Sequence, residues 1–199
     1  MKKSSAFRMD LRKYYFIGYG TIKPPIAKRI RIWIYNYGLH CVASYRFGQW
    51  ANRLYSKNRL MGFIPKVFHL ILSYLVHMIH HVDIDAATIG PGLYIGHVGT
   101  IYIGPVDIGS NFSITHNVTI GSGHFRGKKG VPSIGNNVWL GTGSVVSGAI
   151  TIGNQVTINS GCILSRSIPD GFLAGGNPGR LILQNYDNRE LLGWSLPDD

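Results

Sequence analysis

Cysteine is nearly absent from this 199-residue chain, with only Cys41 and Cys162, far apart in sequence, so no disulfide framework is implied. Acidic residues are scarce where they would matter most. Residues 1–66 hold 14 Lys and Arg against the single acid Asp10, whereas residues 67–199 hold 6 against 8. The excess of positive charge therefore belongs to the N-terminal third, and it suggests an anionic neighbour such as a membrane surface, an acidic polymer or a phosphorylated ligand. Nucleic acid is a poor fit, because Trp33, Tyr35, Tyr37, Tyr45, Phe47 and Trp50 interleave with aliphatics as in a helical core. The N-terminus has no compact apolar signal core with a small-residue cleavage site, so the expected location is the cytosol. Long apolar runs are limited to Met61–Ile79. Pro65, Lys66, His69 and His77 interrupt it, which makes it a poor spanning helix and a better buried or interfacial one.

A period dominates what is present. From Ile134 an aliphatic residue returns at every sixth position, at Leu140, Val146, Ile152, Ile158 and Leu164. Upstream, Ile89, Ile95 and Ile101 keep the spacing, a seven-residue step reaches Ile108, and Ile114 and Ile120 follow at six. Neither a helix nor an alternating strand has this period; a parallel β-helix does, each six residues making one short strand and a corner. Four positions after the later anchors come Val138, Ser144, Ile150, Val156, Cys162 and Ile168, small or apolar enough to complete the interior. A β-sandwich would instead alternate by two, with irregular turns.

Three regions follow. Residues 1–81 form a basic N-terminal arm and a helical region, with 1–23 reading as a loose arm and about 25–58 and 61–80 as helices broken near Gly62 and Pro65. Residues 82–168 form the β-helix. Residues 169–199 cap its open end, where a last coil would expose a pairing edge. Between Ile120 and Ile134 lie fourteen residues in place of six, so 121–133 leaves the stack as a loop carrying His124, Arg126, Lys128 and Lys129.

His97 and His116 each lie two residues after an anchor, at a corner, and nineteen residues apart. His116 should stack one coil above His97. If the 121–133 loop is an excursion, Thr142 and Ser160 continue the column. At roughly 4.8 Å per coil the four trace a groove of roughly 14 Å, suited to an extended ligand. An imidazole there is the usual general base for a hydroxyl nucleophile, and it needs a carboxylate to orient it. Asp83 and Asp85 are the only acids near the start of the repeats. No metal is expected, because His97, His116 and His124 have no acid or Cys at ligand spacing beside them.

The stretches Val82-Asp83-Ile84, Ile89-Gly90-Pro91-Gly92, Ile95-Gly96-His97-Val98-Gly99 and Val118-Thr119-Ile120-Gly121 resemble the catalytic region of the serine acetyltransferase branch of hexapeptide-repeat acyltransferases. The likeness covers about residues 40–184, including Tyr45-Arg46-Phe47-Gly48-Gln49-Trp50 and the turn Gly176-Asn177-Pro178-Gly179-Arg180. The resemblance implies a left-handed β-helix, a homotrimer, and acetyl transfer from acetyl-CoA to a hydroxyl at a cleft between subunits. By position, His97 matches the catalytic base and Asp83 its partner, with one residue fewer between them than in the family. His116, Gly141, Thr142 and Ser160 match the wall along the pantetheine arm, and Pro178 and Arg180 the terminal turn, where a cation meets a CoA phosphate. No covalent acyl-enzyme is expected, since neither cysteine falls on this column.

The acceptor positions depart from serine acetyltransferase. The acid that precedes the family's histidine is Gly96 here, and the Arg-His pair before the loop proline is Gly130-Val131 ahead of Pro132. Without charges to hold a zwitterion, a hydroxyl of a sugar or surface polysaccharide precursor is the expected acceptor, with L-serine as the alternative. A non-catalytic β-helix scaffold is the reading outside enzymes. The basic N-terminal part would suit an acidic glycan or a lipid-linked precursor, giving a peripheral place at the inner membrane face. His124, in a Gly123-His124 context similar to the galactoside and maltose acetyltransferase branch, is the rival base.

Overall fold

The computed structural model describes residues 5–84, 86–125 and 127–194. Four helices precede a solenoid: α1 (Ala6–Tyr19), α2 (Ile26–Tyr35), α3 (Tyr37–Lys57) and α4 (Arg59–His80). Residues 5–23 are therefore not a loose arm. The Ser5 side chain caps α1 by accepting from the Arg8 amide, and Gly20 ends the helix in the left-handed region at φ 68°. The breaks that isolate α3 fall at Asn36 and Asn58, each of which caps the helix that follows with its side chain. Gly62 and Pro65 lie inside α4 and do not break it. At Gly62 a Cβ would run into the Tyr55 backbone, so this glycine marks where two antiparallel helices cross closely.

The solenoid winds through β1 (Val82–Ile84), β2 (Thr88–Ile89) and β3 (Tyr94–Ile95), then β4 (Ile101–Ile103), β5 (Asp107–Ile108) and β6 (Ser113–Ile114). The third coil holds β7 (Thr119–Gly121), a hairpin β8 (Gly123–Phe125) and β9 (Lys128–Gly130), then β10 (Ser133–Ile134) and β11 (Trp139–Leu140). The fourth is β12 (Val145–Ser147), β13 (Thr151–Ile152) and β14 (Thr157–Ile158). β15 (Ile163–Leu164), β16 (Phe172–Gly175), β17 (Arg180–Gln184) and α5 (Arg189–Leu192) complete the chain. Like strands of successive coils pair in parallel into three faces: β1-β4-β7-β12-β15, β2-β5-β10-β13, and β3-β6-β11-β14-β16 with β17 added antiparallel. The result is a left-handed parallel β-helix of about five turns, with an N-terminal helical region.

Burial explains the period. All twelve aliphatic anchors from Ile89 to Leu164 are at most 5% exposed, and so are Val138, Ser144, Ile150, Val156, Cys162 and Ile168. One irregularity is placed differently from the sequence reading. In the register Ile95 pairs with Ile114, but Ile103, not Ile101, pairs with Ile120. Two extra residues thus sit in the corner after Ile95, and the step from Ile103 to Ile108 is one short. The corner accommodates them with positive φ at Gly99 (128°) and Thr100 (45°).

The first coil would leave its backbone groups unpaired on the side facing the N-terminus, an expensive arrangement once buried. Helix side chains supply the partners. The Tyr45 hydroxyl donates to Ala87 O and accepts from Ile89 N, and the Tyr14 hydroxyl does the same at Ile95. The fully buried Asp10 accepts from the amides of Gly92 and Leu93 and is paired with Arg46 at 2.6 Å. Arg46 in turn donates to the carbonyls of Ile89 and Gly90. Burial raises the Asp10 pKa, while Arg46 and the two amides pull it back.

The C-terminal segment does more than cover the last coil. After β17 it turns back, with Tyr186 N donating to Gly171 O, Asn188 Nδ2 to Asn137 O, and Asn111 Nδ2 to Trp194 O. It thus runs as a strap from the final coil to the second, and at Gly193 it reaches Ile17 of α1.

Candidate active site

The column expected from spacing is present. Ile95, Ile114, Leu140 and Ile158 are register partners through β3, β6, β11 and β14. His97, His116, Thr142 and Ser160 each follow two residues later, at the corner between the third and first faces. The rings of His97 and His116 meet edge to face with centroids 6.0 Å apart. His97 is exposed and His116 half-buried. His97 sits in the corner that holds the two additional residues.

Above the histidines the wall is made of backbone and hydroxyls. Gly143 N donates to His116 O, and Gly161 N to Thr142 O, one coil apart each time. Among the described residues, the amides of His116, Thr142 and Ser160 donate to no group of the chain. Such a ladder of free donors, repeating once per coil, matches a ligand with spaced carbonyls. Thr142 Oγ1 donates to Thr115 Oγ1 at 3.0 Å, a partner that the six-residue pattern does not single out. Gly141 lies so close to the next coil that a Cβ there would sit 2.5 Å from Ser160 N. His116 Nδ1 is buried without a hydrogen-bond partner.

The upper end is the turn at Gly176-Asn177-Pro178. Ile163 N donates to Gly176 O and Gly179 N to Ile163 O, fixing the turn over the last coil. Pro178 and Arg180 are exposed there, so the guanidinium is free to meet an anion.

The remaining expected residues lie elsewhere. Asp83 is half-buried in β1, paired in register with Tyr102 on the first face, and lines a cavity of about 520 Å³ between α3, α4 and the first coil. Among the described residues no hydrogen bond or ion pair joins Asp83 to His97 within one chain. Asp85 and Arg126 lie outside the described residues. The loop is the antiparallel hairpin β8–β9, with His124 opposite Lys129. It leaves from the corner between the first and second faces, so His124 and the His97 column occupy different edges of the prism. Both cysteines are buried with thiol pKa values raised by burial, Cys41 to about 12. Among the described residues no group of three His, Cys, Asp or Glu is arranged to hold a metal ion.

Comparison with known proteins gives the family and the fold. Residues 132–166 match the family model described as bacterial transferase hexapeptide (six repeats). A serine acetyltransferase of Helicobacter pylori is 34% identical over 151 residues, covering 74% of this chain and 82% of that protein. The crystal structure of serine acetyltransferase from Brucella abortus superposes with a TM-score of 0.70 at 26% identity, covering 91% of this chain and 69% of the other. The same enzyme in complex with coenzyme A gives 0.68 at 25% identity, covering 92% and 68%.

Proposed function

The chain belongs to the serine acetyltransferase-like branch of the hexapeptide-repeat acyltransferases and is an acetyl-CoA-dependent acyltransferase, and from this we propose that it acetylates a hydroxyl by direct transfer, with His97 as general base. The observation that carries the reading is the placing of His97, exposed at a bulged corner and at the foot of a ladder of free amides.

Acetyl-CoA supplies the thioester, and the chain supplies its placement. The amides of His116, Thr142 and Ser160 hold the pantetheine carbonyls along the column, with Gly141 keeping the coils close. Arg180, beside Pro178, meets the phosphates. His97 takes the proton of the acceptor hydroxyl as oxygen attacks the thioester carbonyl, then returns it to the departing sulfur. Asp83, at the carboxylate position that the resemblance assigns, orients the imidazole and stabilises its cationic form. Backbone amides at the corner stabilise the charge developing on the carbonyl oxygen. The working unit is a homotrimer, as the resemblance implies, and its place is the cytosol.

The names of the relatives favour L-serine over a sugar as the acceptor. A second reading rests on specific residues. A zwitterion needs a carboxylate and a cation to replace its hydration, yet Gly96 precedes His97 and Gly130-Val131 precede Pro132. These residues suit a neutral hydroxylated acceptor such as a sugar of a surface polysaccharide precursor. Thiol release from acetyl-CoA, measured with L-serine and with sugar acceptors, tests both. Serine-dependent release supports the first and sugar-dependent release the second. Release with neither, and no calorimetric CoA binding, would leave a scaffold.

A further inference from the structure

Helix α4 is built inside out for a protein surface. It has 22 residues, its most apolar 18-residue window has a mean hydropathy of 1.5, and only 6% of that window is buried. Its outward positions are 60, 61, 63, 64, 67, 68, 70, 71, 74, 75, 78 and 79, all large hydrophobics and all exposed, up to 87% at Leu60 and 76% at Ile64. At 100° per residue they fill an arc of about 180°, and none carries a charge. The opposite arc faces the protein. Gly62 meets α3 at Tyr55, His69 sits against Gly48, and Ser73 and Val76 line the cavity beside Asp83.

Exposed apolar surface on this scale marks an interaction site. A facing helix covers a stripe of about 100°, little more than half of this arc, whereas the boundary between headgroups and acyl chains covers half a helix along its whole length. Charge selects the kind of surface. Lys57 and Arg59 are exposed where α4 begins. Helix α2 repeats the pattern, with Ile26, Ile30 and Ile34 exposed along one ridge and Lys28, Arg29 and Arg31 around it. The start of α3, two residues after α2 ends, lies against the end of α4, where Tyr37 stacks on His80 with centroids 5.2 Å apart. By length and composition α4 could span a bilayer, but its inner half is packed against α3, which Arg46 and Tyr45 fasten to the solenoid.

We propose that α4 lies in the surface of an anionic lipid bilayer, its outer half buried among headgroups and upper acyl chains, with the cations of α2 and of the α3–α4 turn on the phosphates. This docking is independent of which hydroxyl is acetylated.

The test is co-sedimentation of the full chain with phosphatidylcholine vesicles made with and without phosphatidylglycerol. Binding should require the anionic lipid and weaken with salt. The triple variant Ile64→Ser, Ile71→Ser, Leu75→Ser changes only outward side chains, so circular dichroism and thiol release should persist while vesicle partition falls by at least about tenfold. An environment-sensitive fluorophore on Ile71→Cys gives a second readout, since the native cysteines are buried. A blue shift on adding anionic vesicles supports docking. Emission already blue and unchanged by vesicles would mean that another copy of the chain covers α4, and would overturn the proposal, as would a triple variant that sediments like the parent.

Discussion

The ring of His116 stands edge-on to that of His97, planes at 81° and centroids 6.0 Å apart, although nineteen residues separate them in sequence. The proposed base is thus braced by the next coil. His116 Nδ1 is buried without a partner, so what the ring offers His97 is its edge rather than a hydrogen bond. His116→Phe keeps an aromatic edge against His97 and loses only a buried, unpartnered nitrogen, so it should preserve both kcat and the KM for acetyl-CoA. His116→Ala removes the brace as well and should lower kcat. Steady-state kinetics of both variants decide, and equal behaviour would sink the distinction.

His97→Ala should reduce kcat by about 10²–10⁴-fold, the usual value of a positioned general base, with CoA binding by calorimetry intact. His124→Ala should stay within a few-fold of the parent, because the hairpin leaves from another edge of the prism. A large loss in His124→Ala with little in His97→Ala would reverse the assignment.

Gly141→Ala places a methyl 2.5 Å from Ser160 N and 2.9 Å from Ser160 Oγ. The coils must part, at a cost of about 1–3 kcal/mol. Because the same gap separates the amides of Thr142 and Ser160, CoA affinity should fall alongside the urea midpoint. A destabilised variant with unchanged affinity would remove this stretch from the donor site.

Lys13 is fully buried and donates to Asn111 Oδ1 at 2.6 Å, Ser113 Oγ at 2.8 Å and Gly92 O at 3.1 Å. Burial lowers its pKa from 10.5 to about 7, opposed by Asp10. Asp10, Arg46 and the Tyr94 ring are the charged and titratable groups around it. Between those two values the unfolded chain binds a proton that the folded chain lacks, so this residue makes stability rise with pH across that window. Below it the full cost of burying the cation applies. In Lys13→Met, urea midpoints should rise less steeply with pH over the same range than in the parent. Parallel profiles would refute the assignment.

At Gly96 a Cβ would sit 3.3 Å from the ring of Tyr94, a tight contact that a shift of that side chain by a few tenths of an ångström relieves. Gly96→Asp would restore a carboxylate beside His97 where a substrate ammonium could bind. If the acceptor is neutral, this variant should gain kcat/KM for L-serine by several-fold and lose it for sugars. No gain with L-serine would count against the neutral-acceptor reading.

The solenoid was legible because its interior is a stack, where every sixth residue is buried whatever its neighbours are. The same logic placed His97, His116, Thr142 and Ser160 in one column. It misplaced the extra residues, because an insertion at the His97 corner and a deletion before Ile108 nearly cancel in the count. It also missed α1, whose anchors are Asp10 and Lys13. A buried lysine reads as a surface lysine unless the carbonyls and asparagine that receive it can be foreseen, and these lie about 80 and 100 residues away. Asp83 was found by resemblance, and its distance from the imidazole within one chain could not be read from spacing. Helix α4 was readable as apolar and as buried or interfacial, but not as half uncovered.

The strap from Gly171 to Trp194 has a consequence for how the molecule comes apart. In a simple repeat stack the outermost coils fray first and unzip one by one. Here Asn137 and Asn111 hold the tail of the last coil against the second, and that tail touches the helix that plugs the first. The two extremities are stitched together, and melting must be concerted from end to end.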